Sequence, residues 1–242
     1  MPHGLPDWGL EGPKSTTYGL DDLGEQAVRL GSIVSFDRRG DVVLLDDYTQ
    51  GLTRPQYALN GLGAAYRLVN DRSRWGPLAV RLVGGSTLTR HCVMSYTLGY
   101  PVLGSFGVEV GLQFLTELDE VDITLSIFTG ARHVEGLLRY ERSVPEWEYM
   151  DNLGAYVAFL SPWQINLLNP PFNTVKLVVD AVNEEYVRAI VDNVSYPMPG
   201  VPAWWGVNAT SPRLLIEVWM VSRALQNDYV QIDGVIVTQN EP

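Results

Sequence analysis

Residues 105–114 read SFGVEVGLQF. Phe106, Val108, Val110, Leu112 and Phe114 fall on one parity; Ser105, Gly107, Glu109, Gly111 and Gln113 fall on the other. Side chains of a strand alternate between its two faces, so strict alternation of this length specifies a half-buried strand and excludes a helix. The pattern returns in VDITLSIF, residues 121–128, with Val121, Ile123, Leu125 and Ile127 inward. In RLLIEVWMV, residues 213–221, both parities are mostly apolar, which predicts a central strand covered on both sides.

Working outward, period-two segments lie near 41–47, 64–69, 78–83, 89–98, 132–141, 174–181, 184–192 and 229–238. Turn signals separate them: Gly84-Gly85, Gly99 with Pro101, Asn169-Pro170-Pro171 and Asn183. Many strands at hairpin spacing, with no linker-like stretch, predict one antiparallel two-sheet β-sandwich over residues 33–242. SPWQINLL, residues 161–168, is the one interior helix candidate. Residues 1–32 read differently. The first twenty are rich in Gly and Pro and suggest an extended arm, and DDLGEQAVRL, residues 21–30, suggests a short helix with Asp22 and Glu25 as a capping box.

Composition excludes several function classes. The chain has 242 residues, 46% hydrophobic and 19% charged, enough to bury a core and too apolar for disorder. A formal charge of −11 argues against nucleic acid and against an acidic membrane surface, both of which select clustered Lys and Arg. The single cysteine, Cys92, rules out an internal disulfide framework. No apolar run approaches the ~20 residues that span a bilayer, and the N-terminus lacks the charged head and apolar stretch of a secretory signal. Synthesis in a cytoplasm is expected.

Two resemblances follow from particular residues. FNTVKLVVDAVNEEYVRAIVDNVSYPMPG, residues 172–200, then RLLIEVWMV and NDYVQIDGVIVTQ, resemble the back half of the concanavalin A-like lectin/glucanase jelly roll. VVLLDDYTQGL, residues 42–52, resembles the strand-plus-turn opening of carbohydrate-binding jelly rolls. That resemblance implies an all-β jelly roll. Residues 22–52, DLGEQAVRLGSIVSFDRRGDVVLLDDYTQGL, preceded by an arm, resemble jelly-roll structural proteins of tailed bacteriophage particles, such as decoration, fibre or tail components. This implies a non-enzymatic virion protein made in the host cytoplasm. Its partners would be copies of itself and other virion proteins, with a glycan as a further candidate. The competing classes are a carbohydrate-binding module and, behind it, a glycoside hydrolase.

The hydrolase reading would use ELDEVD, residues 117–122. Glucanases of this fold carry alternate carboxylates on one strand, and Glu117, Asp119 and Asp122 approximate that pattern. Glu117 and Asp119 share parity with inward Val121 and Ile123, so an acidic turn between two strands is the plainer reading. Asp46 and Asp47 are strand neighbours, point to opposite faces and cannot form a facing dyad. With Asp233 they are candidates for a structural Ca²⁺ of the kind such jelly rolls hold; otherwise no cofactor is expected, and the acids cap the turn that follows. Arg39-Gly40-Asp41 reads as a glycine turn. His3, His91 and His133 have no metal-ligand spacing. Trp147 and Tyr149 of VPEWEYMDN, and Trp204-Trp205 of the loop PGVPAWWGVN, are candidates for sugar contact, protein contact or packing. In the arm, Leu5, Trp8, Leu10 and Tyr18 are the candidate anchors on a neighbouring subunit.

Overall fold

The computed structural model describes residues 39–73, 77–87, 90–99, 103–168, 170–192 and 194–242. The arm residues Leu5, Trp8, Leu10 and Tyr18, the 21–30 helix and the whole 1–32 segment lie outside the described residues.

Sixteen strands run through the described chain: β1 (Asp41–Asp46), β2 (Gln56–Asn60), β3 (Ala65–Val69), β4 (Ala79–Val83), β5 (His91–Gly99), β6 (Ser105–Phe114), β7 (Glu120–Phe128) and β8 (Arg132–Glu141). They continue as β9 (Glu146–Met150), β10 (Tyr156–Leu160), β11 (Asn173–Asp180), β12 (Glu185–Val191), β13 (Val194–Pro202), β14 (Trp204–Val207), β15 (Arg213–Val221) and β16 (Tyr229–Gln239). Every pairing is antiparallel. Sheet I has the order β13-β12-β11-β6-β16-β4-β3, with β1 also on β16; sheet II has the order β10-β9-β8-β7-β15-β5-β2, with β14 also on β8. The two sheets make an antiparallel jelly-roll sandwich.

The alternation in SFGVEVGLQF builds the core. Phe106, Val108, Val110, Leu112 and Phe114 of sheet I face Val121, Ile123, Leu125 and Ile127, together with Leu214, Ile216, Val218 and Met220, of sheet II; all are buried. At about 1.5–3 kcal/mol for each fully buried large aliphatic or aromatic side chain, this layer is the main stabilising term. Its lateral edges are closed by rings from opposite sheets. Tyr57 stacks on Tyr66 with centroids 3.7 Å apart, and Phe159 meets Tyr196 at 5.3 Å.

β16 shows why alternation alone misplaces some residues. Val230 and Ile232 point inward, and so do Val235 and Val237, a change of parity across Asp233-Gly234. The register on β6 shifts between Ile232 and Val235, and Gly234 sits at φ +89°, left-handed backbone that glycine adopts without strain.

Three expectations are corrected. Residues 161–168 form no helix; they are irregular and include a cis Ser161–Pro162 bond. Trp204-Trp205 is not a loop but the strand β14. The outer face of β15 is not fully covered among the described residues: Leu215, Glu217 and Trp219 are only half-buried.

Candidate functional site

Register decides which side chains share the outer face of sheet II, because directly opposed residues of an antiparallel pair lie on the same side. On β7 these are Glu120, Asp122, Thr124, Ser126 and Phe128. Across β15 they oppose Val221, Trp219, Glu217, Leu215 and Arg213; across β8 they oppose Glu141, Arg139, Leu137, Glu135 and His133. β14 brings Trp204 opposite Glu135, and β9 brings Glu148 opposite Arg139. One face therefore carries an aromatic row at one end and a set of carboxylates across its middle.

At the aromatic end, His133 stacks on Phe128 with centroids 4.4 Å apart and planes 12° from parallel. Trp204 meets His133 edge-on at 5.2 Å, and the Arg213 guanidinium lies 5.1 Å above the Phe128 ring. His133 Nε2 is 3.4 Å from Glu135 Oε2, which also accepts a 2.9 Å hydrogen bond from Ser126 Oγ. Beyond Ser126, Glu217 receives a hydrogen bond from the Trp219 indole. Burial pushes the Glu217 carboxyl above the usual range, the Trp219 bond pulls it back, and the nearby charge of Glu135 raises it again.

The acidic middle is organised by one cation. Arg139 donates to Asp122 through Nε at 2.9 Å and Nη2 at 2.8 Å, reaches Glu120 through Nη1 at 2.9 Å, and lies 3.9 Å over the Tyr156 ring. Burial raises Asp122 and Glu120 even so; Arg139 opposes that in both, while Glu141 adds to it for Asp122, and Asp122 and Glu141 do for Glu120. Burial and the charge of Glu146 likewise raise Glu148.

β14 owes its place to a split in the neighbours of β8. β14 pairs with residues 132–135 and β9 with residues 138–141, so Gly136 and Leu137 fall between them. Tyr186, fully buried on β12 of sheet I, crosses the sandwich to fill the gap. Its hydroxyl accepts from Leu137 N–H at 3.0 Å and donates to Met150 C=O at 2.6 Å. Gly136 leaves the room this requires, since a Cβ there would run into Val179 Cγ2 and crowd the Tyr186 ring.

The sequence candidates land as follows. Glu117 and Asp119 lie in the connection between β6 and β7, as the turn reading expects. Glu117 pairs with Arg223 at 2.6 Å, and Asp119 is held by Arg90 at 2.7 Å and Arg142 at 3.0 Å. Asp122 lies on the outer face of β7, held by Arg139. The three carboxylates are thus spread over separate ion pairs and form no common cleft. Trp147 is no surface platform: it is fully buried, within 5.7 Å of Trp163 and 5.9 Å of Tyr140. Tyr149 packs on Tyr186 at 5.4 Å. Trp204 belongs to the face just described, and Trp205 points the other way, 43% exposed beneath Arg132.

Asp46 turns inward and accepts from Tyr48 N–H at 3.1 Å and Tyr96 Oη at 3.2 Å; Asp47 accepts from Thr49 N–H and Oγ1 at 3.1 and 2.8 Å. Both acids cap the turn after β1. Asp233 is buried in the β16 bulge. Among the described residues, no group of three or more His, Cys, Asp or Glu side chains is placed to hold a metal ion, so these three aspartates do not assemble into one.

Four members of the face went unread in the sequence: His133, Glu135, Glu217 and Trp219. The available signal was Glu217 and Trp219 at alternate positions of an otherwise apolar strand. Neither a known family model nor a curated protein sequence matches the chain. Solved structures similar to it are jelly rolls of the concanavalin A-like kind. One is the cellulose-induced protein Cip1, with 14% identity over 81% of this chain and 96% of that one, at a TM-score of 0.48. Another is the CBM2 module of the evolved Dit of Lactobacillus casei BL23 phage J-1, with 10% identity over 82% and 95%, at 0.48. A third is the lectin from Bauhinia forficata in complex with GalNAc, with 12% identity over 83% and 100%, at 0.48. The fold assignment rests on the two sheets and their register.

Proposed function

We propose that the protein binds a saccharide chain along the outer face of sheet II, without turning it over. The carrying observation is one outer sheet surface whose floor of Thr124, Ser126 and Phe128 is buried and whose half-buried side chains stand over it: His133 and Trp204 beside Phe128 at one end, Trp219 at the other, and Glu135 and Glu217 between them. Sugar rings offer apolar C–H faces to aromatic planes and hydroxyls to carboxylates, so such a surface is chemically matched to them. From Trp204 to Trp219 is three strand spacings across and about four residues along, on the order of 20 Å, room for several sugar units. Both Asp122 oxygens accept from Arg139, so that carboxylate serves an ion pair within the face. Membership of a phage particle, with other virion proteins as partners, is proposed on the sequence resemblance alone.

A glycan panel followed by calorimetry tests this reading. Selective binding should weaken about tenfold or more in Trp204→Ala, the loss typical of an interfacial aromatic anchor. Equal binding by the variant, or no binding across the panel, overturns it.

A second reading is favoured by Glu217. A carboxyl whose hold on its proton is raised by burial, with Glu135 one strand beyond β7, has the elements of a general acid and its partner base. Release of reducing ends from a bound glycan, abolished in both Glu217→Gln and Glu135→Gln, would establish hydrolysis in place of simple binding.

A further inference from the structure

We propose that two copies of the chain associate through the open edge of sheet II where β10 and β14 lie, each copy's β10 seating beside the other's β14.

The edge has a step. β14 and β9 lie end to end along the same side of β8, and β10 continues outward from β9 alone. Next to β14, in line with β10, one strand position is therefore open among the described residues. The backbone along the step is ready to pair. Asp151 N–H donates to Ala155 C=O at 2.8 Å, so Ala155 and Val157 turn their polar groups toward β9, while Tyr156 and Ala158 turn theirs outward. Asn208 N–H donates to Ala131 C=O at 3.0 Å; by the same alternation, Trp205 and Val207 point their backbone groups away from β8.

A two-fold axis normal to the sheet at the step places the projecting β10 of each copy in the recess of the other. Within one chain β10 and β14 run in opposite directions, so the two-fold makes the new pairs parallel. The hairpin tip carrying Leu153 falls near the axis. One patch, repeated on both copies, closes the assembly at two.

The side chains suit a second copy. Leu153, Tyr156, Val157, Trp205 and Val207 are exposed along the step, at 85, 38, 38, 43 and 89%, and none carries charge. Arg132, stacked over Trp205, is already paired with Glu184. Two chains of formal charge −11 repel, and this edge lets them meet largely through uncharged side chains. Three other edges suit pairing less well: β13 carries Pro197, Pro199 and Pro202, which lack an N–H; β3 carries Arg67; and β2 exposes only Leu59 as a large aliphatic side chain. The nine residues of β10 and β14 form a rim about 30 Å long and roughly 20 Å deep with side chains, on the order of 600 Å² per copy. That is somewhat below the ~800 Å² per partner of a standard interface, so a reversible dimer in the micromolar range is expected.

Sedimentation of the full chain across micromolar concentrations tests this. The wild type should dimerise reversibly. Val157→Lys and Val207→Glu, both at exposed positions outside the saccharide face, should each weaken association at least tenfold with unchanged circular dichroism. An equimolar mixture of the two should recover association, because the ammonium introduced on β10 of one copy then faces the carboxylate introduced on β14 of the other. A wild type that stays monomeric, variants that dimerise normally, or a mixture no better than either variant alone overturns the proposal. Amide exchange on the wild type needs no variant: the Tyr156, Ala158, Trp205 and Val207 amides should slow at high concentration and recover on dilution, and equal rates at both contradict the interface.

Discussion

Removing one oxygen, by Tyr186→Phe, should destabilise the sandwich far more than its size suggests. The ring stays and no cavity of consequence opens. Two backbone groups, the buried Leu137 N–H and the partly buried Met150 C=O, lose the partner that bridges the gap between β9 and β14. An unsatisfied buried polar group costs about 1–3 kcal/mol, so the pair places the loss at about 2–4 kcal/mol. For a chain of this length, with Tm falling about 2–4 °C per kcal/mol, that is a drop of roughly 4–16 °C. Urea unfolding of both proteins, followed by circular dichroism, measures it as a lower midpoint at unchanged slope. A loss below about 0.5 kcal/mol would refute the view that this hydroxyl holds the split in sheet II together.

Gly136→Ala attacks the same place from the other side. Its Cβ must displace Val179 or Tyr186, and overpacking of this kind costs about 1–3 kcal/mol in the same urea assay. Glu241→Ala should cost about 3–5 kcal/mol, because the buried Glu241 carboxylate holds Lys176 Nζ at 2.8 Å and Arg188, and both cations would lose it. Glu217→Gln should change the pH dependence of stability. The folded-state pKa of Glu217 lies above its ordinary 4.5, so the native state holds that proton more tightly than the unfolded chain does. Stability from this group therefore grows as pH falls through the raised value, is complete below 4.5, and is lost as pH rises again. Melting curves from neutral pH downward should show wild type gaining on Glu217→Gln across that window; parallel curves would contradict the shift.

The long core strands were legible because alternation is a direct record of burial on one face. β6, β7, β8 and β15 begin and end within a residue or two of the periodic segments. The short edge strands were not legible. β13 contains three prolines, and β14 is four residues with a glycine, compositions that read as loop unless the partner strand is known. β10 and β2 are held by one neighbour each, so little of their pattern is fixed by burial. The site was half legible. Trp204 stands out as an aromatic, but Asp122 is grouped by the ELDEVD spacing with Glu117 and Asp119. Its companion on the outer face is Glu120, two residues before it, whereas Asp119 and Glu117 precede the strand. His133, Glu135 and Glu217 lie on separate strands or alternate positions, and only the cross-strand register brings them onto one surface.

The most direct measurement is a saccharide titration followed on the indole N–H resonances of the seven tryptophans, using a glycan that binds. Binding along the outer face of sheet II should move the Trp204 and Trp219 signals together and leave the signal of Trp147, fully buried in the core, in place. Saturable binding with Trp204 and Trp219 both unmoved would contradict the assignment of that face.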